Sequence, residues 1–331
     1  MQTTKSTLDF IVIGAQKAGT TSLFEYLRHH PEIFLPPGKE VHYFSHDTER
    51  ARGWDEYIKK NFASAYPFCR WGTVTPTYMA GNVYDTSRTP ADIARNYDEH
   101  TVPLRIQEYS PEVRLIAILR DPVERAYSHH RMTSMNGLER RSFDEAIEQL
   151  LKPDALENSR RYPDEETSYI IWGEYGRILR GYFDVFSREQ ILVVFTNELE
   201  QAPEGLLSRV YTFLGVELGF VPNNLGKRYR VGGERRYSWL TIGEARRALA
   251  HNEVANSLWK ALPDVVRHPI DRAYDRSVYA IDLWNRRAST NLDVPSLTTQ
   301  HRLREHFDQD AHQLATLLDT SVPWQSPTTT G

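Results

Sequence analysis

The chain has a single cysteine, Cys69. That excludes a disulfide within the chain and a cysteine-built zinc site, and it suits a reducing compartment. Long apolar runs are missing too. No stretch approaches the ~18 apolar residues of a membrane span, and the opening MQTTKSTLDF has no apolar signal core, so the expectation is a cytoplasmic protein. Positive charge is not in excess: 40 Lys and Arg stand against 44 Asp and Glu, for a net charge of −4. A broad field for nucleic acid or anionic membrane is thereby excluded, and any anion site must be local. Internal repeats and low-complexity segments are absent as well. What remains is 331 residues with 40% hydrophobic, 11% aromatic and 25% charged content. This is enough apolar material for a full core, in one large α/β domain or two small ones.

The most informative stretch is Leu8 to His30, LDFIVIGAQKAGTTSLFEYLRHH. Phe10, Ile11, Val12 and Ile13 form a short apolar run, β-branched after Phe10, that reads as a buried strand. Gly14 and Gly19 bracket a loop, and Thr20, Thr21 and Ser22 open a segment with Leu23, Phe24 and Leu27 at helical spacing. Strand, glycine loop and helix start form a phosphate cradle, in which backbone N–H groups and the helix dipole favour an anion. An ATP or GTP loop, G-x-x-x-x-G-K-[ST], has its lysine directly after the second glycine. Here the string is G-A-Q-K-A-G-T-T, so Lys17 lies inside the loop and Thr20 takes the usual lysine place.

GAQKAGTTSL resembles the 5′-phosphosulfate loop of sulfotransferases that use 3′-phosphoadenosine 5′-phosphosulfate (PAPS) and release 3′-phosphoadenosine 5′-phosphate (PAP). That resemblance implies donor contacts from Gly14, Gln16, Lys17, Ala18, Gly19, Thr20, Thr21 and Ser22. Downstream, prolines 31, 36 and 37 and Gly38 forbid continued helix and lead to a short extended piece. Alternation would put Glu40, His42 and Phe44 on one face of it, and Lys39, Val41 and Tyr43 on the other. A carboxylate and an imidazole on one side are candidates for proton transfer. GKEVHYF resembles the GKExHFF segment of heparan-sulfate-type sulfotransferases, which implies Glu40 as catalytic base and Lys39 near the sulfate and acceptor. His42 is the reserve base, since other branches of the family use histidine. WGTVTPTYM resembles the family's G-E-x-[ST]-P-x-Y-L segment beside donor and acceptor. Thr75, Pro76 and Tyr78 match it, and Thr73 stands where an acidic residue is common.

Residues 54 to 68 read as an aromatic helix, and Thr89 to Ser110 as a helix broken near Pro103. VRLIAIL is a continuous apolar run fit for a strand buried on both faces. Arg120 ends it, Asp121 is a good N-cap and Pro122 a good first helical residue of PVERAYSHHRMTSM. Asp121 could instead be a magnesium-binding aspartate at a strand end, but the following proline favours the cap. LRDPVERAYSHHR resembles the 3′-phosphate-binding segment of PAPS enzymes, which implies that Arg120 and Ser128 hold that phosphate. An arginine fork suits it, and a serine eight residues on lies about two helical turns away. His129 and His130 are adjacent on the helix and diverge, so they read as surface or core residues.

FDEAIEQLL is an amphipathic helix with Phe143, Ile147, Leu150 and Leu151 inward. Lys152 to Glu166 reads as a polar, proline-bearing loop near the acceptor side, and Tyr169 to Phe186 as a helix packed through Ile178, Leu179, Tyr182 and Phe186. ILVVF is a third parallel-type strand, with helical NELEQAPEGLLSRVYTFLGV after it. The basic stretch NNLGKRYRVGGERRYSW carries Lys227, Arg228, Arg230, Arg235 and Arg236. It loosely resembles the family's late loop over the adenosine 3′-phosphate; a solvated loop or a docking surface for an anionic acceptor is an equal reading. Leu240 to Arg287 carries helical patterning and aromatics (Trp259, Tyr274, Tyr279, Trp284), and RLREHFDQDAHQLATLLDTSVPW closes the chain as an amphipathic helix that resembles the carboxy-terminal helix of bacterial sulfotransferases.

These readings give one α/β domain over residues 1–331: a P-loop-like parallel sheet flanked by helices on both faces across 8–240, and a helical carboxy-terminal part across 241–331. The resemblance implies a metal-independent sulfotransferase acting on a carbohydrate, lipid or small molecule, with the oligomeric state open. A magnesium-dependent phosphotransferase and a nucleotide-binding module without chemistry are the alternatives.

Overall fold

The computed structural model describes residues 6–80, 98–227, 229, 234–235, 286–287 and 294–325. The chain divides into two compact units, Met1–His129 with Ser142–Arg230 and Pro295–Gly331, and His130–Arg141 with Val231–Val294. In the first unit, β1 (Phe10–Gly14), β2 (Ile33–Phe34), β3 (Arg70–Val74), β4 (Arg114–Leu119) and β5 (Ile191–Phe195) form one sheet in the order β2-β3-β1-β4-β5. Every pairing in it is parallel. Among the described residues, the α-helices of this unit are α1 (Thr20–Leu27), α2 (Asp47–Arg50), α3 (Trp54–Phe62), α4 (Thr101–Tyr109), α5 (Pro122–Met135, which runs on into the second unit), α6 (Phe143–Leu150), α7 (Pro153–Arg161), α8 (Tyr175–Phe183), α9 (Thr196–Gln201), α10 (Pro203–Leu214) and α11 (Leu297–Leu318). Described parts of the second unit include a small antiparallel pair, β6 (Glu234–Arg235) and β7 (Arg286–Arg287).

Period-two alternation explains why this sheet is buried on both sides. Ile11 and Ile13 face a layer with Tyr175, Ile178, Leu179, Ala311 and Leu314 from α8 and α11. Phe10 and Val12 face the opposite layer, with Leu23, Leu27, Leu206 and Val210 from α1 and α10. Because the strands are parallel, all their carboxyl ends open on one edge, and the connections after β1, β3, β4 and β5 meet there.

Several expectations are corrected. No strand runs through residues 39–44, which pass from a bend at 37–39 through irregular chain into a turn at 43–45. Tyr43 and Phe44 are both buried, so the expected alternation fails. Tyr43 packs with Trp54 at 5.0 Å and Tyr57 at 4.9 Å, and an aromatic cluster of that size outweighs a short extended preference. Residues 153–161 are helix rather than loop, because Pro153 sits at the first helical position, where its missing N–H costs nothing. Pro103 likewise lies in the first turn of α4 and breaks nothing. The span expected as one helix from Tyr169 to Phe186 is a 3-10 turn, Ile171–Gly173, followed by α8. The expected helix over residues 89–97, Arg228, Arg230 and the patterned stretch 240–285 lie outside the described residues.

One buried carboxylate ties α7, α8 and α11 together. Glu174 accepts from Arg160 Nη2 at 2.6 Å, Arg177 Nε at 2.7 Å and His306 Nε2 at 3.0 Å. Burial pushes its carboxyl up, but bonding to His306 and Arg160 and the charge of Arg177 outweigh that and hold it at about 2. A folded value below the ordinary 4.5 contributes stability above pH 4.5 that fades as pH falls toward 2. Glu174→Gln should therefore cost about 3 kcal/mol at neutral pH. Thermal melts at pH 7 and pH 3 should show a wide gap from wild type at the first and a narrower one at the second.

Candidate functional site

The loop after β1 is strapped to the neighbouring strands. Ala15 N donates to Ile118 O of β4 at 2.7 Å. Thr196, at the end of β5, places its hydroxyl 2.7 Å from Ala18 O and 3.1 Å from Leu119 O. Gly14 has no room for a side chain: a Cβ there would meet Met79 Sδ at 2.3 Å. Gly19 takes a φ of 98° at the N-cap of α1, a conformation open to glycine. Lys17 is also left-handed, with φ 70°. For a residue with a side chain that conformation costs about 1–2 kcal/mol and persists where the surroundings impose it. No side chain caps α1 and no acidic residue lies in its first turn, so its leading N–H groups face the loop's concavity with the dipole uncancelled. This donor set fits a phosphate.

Lys39 joins that cradle to the next connection. Its Nζ donates to Thr20 Oγ1 at 3.2 Å and to Glu40 Oε1 at 3.1 Å. Glu40 keeps 36% side-chain exposure while Lys39 has 12%, so the carboxylate stands at the surface beside the first turn of α1. The segment is pinned from β3. Thr75 Oγ1 accepts from Val41 N at 3.3 Å and lies 3.2 Å from Val41 O, to which the Tyr78 hydroxyl also donates. Thr75 and Tyr78 are themselves buried, and here they hold the backbone of Val41, the residue after Glu40. His42 Nδ1 lies 3.2 Å from Thr77 Oγ1, and burial lowers its pKa against the opposing pull of Glu40 and Glu49. Thr73 is fully buried in β3, its hydroxyl facing the Tyr57 phenol.

One strand over, Arg120 leaves β4 on the same edge. Its Nε and Nη2 lie 3.0 and 2.9 Å from Glu124 Oε2. Asp121 Oδ1 accepts from the N–H groups of Val123 at 2.9 Å and Glu124 at 3.2 Å, so it caps α5. Ser128 follows Glu124 by one helical step of four and is half-buried. Lys227 is exposed, with its Nζ 5.3 Å from the Tyr229 ring. Its carbonyl accepts from Tyr26 at 3.0 Å, and Tyr229 N donates to Ser22 Oγ at 3.2 Å, so this end of the basic stretch lies along α1.

Sequence reasoning missed one group of residues at the loop. Gln16 Nε2 donates to Glu165 Oε1 at 3.2 Å, and Glu165 Oε2 lies 2.8 Å from His129 Nε2. His129 is fully buried, stacked at 5.0 Å on Trp172, with Arg125 Nη1 3.4 Å from its Nδ1. Burial lowers the imidazole to about 4 against the pull of Glu165, helped by the charge of Arg125. A helical i, i+4 pairing of Arg125 with His129 was readable. Nothing in the string pointed to a glutamate 36 residues further on.

A parallel sheet with a lysine-bearing glycine loop, a surface carboxylate and an arginine on its carboxyl edge defines an α/β protein whose loop donors fit an anion. The model of the sulfotransferase domain family matches residues 7–227, and the chain belongs to that family. It is 28% identical over 207 residues to mouse heparan sulfate glucosamine 3-O-sulfotransferase 3B1, covering 62% of this chain and 46% of the relative. With the human 3-O-sulfotransferase 6 of the same series it is 27% identical, covering 62% of this chain and 52% of the relative. The chain thus spans about half the length of these curated relatives. A sulfotransferase structure from Alicyclobacillus acidocaldarius shares the fold with TM-score 0.63 and 20% identity, over 97% of this chain and 99% of that one.

Proposed function

We propose that the chain moves a sulfuryl group from PAPS to a hydroxyl or amine of a carbohydrate, lipid or small-molecule acceptor. The observation that carries this reading is Lys39, whose ammonium bridges Thr20 of the phosphate cradle and the surface carboxylate of Glu40. It puts a proton acceptor beside an anion well. Bound PAPS supplies an activated sulfuryl group and leaves as PAP.

In this reading Gly14, Gln16, Ala18, Gly19, Thr20, Thr21 and Ser22 line the 5′-phosphate end. Lys17 offsets charge that develops there, a contribution of about 3–4 kcal/mol for one preorganised donor. Glu40 takes the acceptor proton as the new bond to sulfur forms. His42, held neutral by burial, is the second candidate. Arg120 and Ser128 engage the 3′-phosphate, which requires Arg120 to exchange its Glu124 partner for the ligand. The relatives act, by their names, on glucosamine of heparan sulfate, which favours a sugar acceptor. No metal enters this scheme.

The experiment is incubation of purified protein with isotopically labelled PAPS and a cell extract, followed by mass spectrometry. Label in an acceptor, undiminished by a chelator, is the expected result. Phosphoryl transfer from ATP that a chelator abolishes would favour the magnesium-dependent reading; PAP binding with no labelled acceptor would favour a module without chemistry.

A further inference from the structure

Resting on that reading, we propose that Glu165 and His129 are positioning residues for the donor: a buried imidazole orients a carboxylate that fixes the Gln16 side of the phosphate loop. Gln16 immediately precedes the left-handed Lys17, so its side chain is the handle by which an outside group can set the loop. That side chain donates from Nε2 to Glu165 Oε1 at 3.2 Å. Glu165 is in turn held at 2.8 Å by His129, whose side chain has no exposure while that of Glu165 keeps 23%.

The proton arrangement follows from the partners. Arginine can only donate, so the His129 Nδ1 facing Arg125 Nη1 is the acceptor, and Nε2 carries the proton toward Glu165. A neutral ring agrees with its burial among Arg125, Tyr169 and Trp172. Arg125 Nη2 also donates to Tyr169 O, which anchors the far end of the segment that carries Glu165. The chain of contacts therefore runs from the α5 core to the loop.

A carboxylate beside an anion well is the wrong charge for affinity, and this makes the proposal testable by sign. By charge alone, removing Glu165 should tighten PAP binding. If its task is to hold Gln16, removing it should loosen binding. Calorimetric titration of the full chain with PAP should show Glu165→Ala weaker than wild type by about tenfold, the scale of a lost charge-assisted hydrogen bond. Glu165→Gln drops the charge, keeps one oxygen to accept from His129, and offers its amide N–H to the Gln16 oxygen once that amide turns over. It should therefore bind at least as well as wild type.

His129 provides an independent arm. His129→Gln places an amide N–H where Nε2–H was and should keep PAP affinity within about threefold of wild type, whereas His129→Phe keeps the ring on Trp172, loses the donor and should fall with Glu165→Ala. Melting temperatures identify any variant that does not fold, and the partly exposed Glu165 variants carry the test if the buried ones fail. Glu165→Ala binding PAP as tightly as wild type or tighter overturns this proposal alone. Wild type that binds no PAP overturns the sulfotransferase reading and this one with it.

Discussion

Glu40→Gln should lower kcat by about 10²–10⁴-fold, the usual contribution of a positioned general base, while PAP binds as it does to wild type. The amide is the same size as the carboxylate and still accepts from Lys39, so the bridge to Thr20 survives and only proton acceptance is lost. A lost kcat with intact PAP affinity is thus a statement about chemistry. Single-turnover rates at saturating donor, with PAP affinity by calorimetry, make the measurement. Near-wild-type turnover would transfer the role to His42, the nearest imidazole on the same segment. His42→Ala would then become the variant that loses turnover.

Lys17→Met should slow the chemical step at saturating donor by about 10²–10³-fold, the equivalent of one preorganised donor removed from developing charge. The argument is conformational as much as electrostatic. Lys17 is held left-handed inside a loop strapped to β4 and β5, so the ammonium leaves the chain from a fixed point. Methionine keeps the length and removes the charge. Unchanged single-turnover rates would take Lys17 out of the mechanism, whatever happened to donor affinity.

The parts of this site legible in the string are those whose local physics is strong. A β-branched run ending in glycine, with a helix opening at Thr20, left one arrangement for residues 10–27, and β1 and α1 follow it. Asp121 and Pro122 set the start of α5 in the same way. Where packing decides, local pattern failed. The Glu40 segment was given strand-like alternation, yet the cluster of Tyr43 and Phe44 with Trp54, Tyr57 and Tyr109 folds it into turns. Strand β3 went unnoticed because it is short and contains Gly72, whose missing side chain is filled by the Phe10 ring from β1. Pro153 was read as a breaker when it starts α7. The partnership of Glu165 with His129 depends on the path of the chain between α7 and α8, which no spacing encodes.

The central claim is that the Lys17 loop and Arg120, on adjacent strands of one edge, form a socket for an adenosine phosphorylated at both the 3′ and 5′ positions. Titration of wild type and Arg120→Ala with PAP and with adenosine 5′-phosphate tests it most directly. The account predicts that wild type prefers PAP, and that Arg120→Ala loses about tenfold or more in PAP affinity with little change for adenosine 5′-phosphate. Equal losses for the two ligands, or a wild type that does not distinguish them, would contradict it.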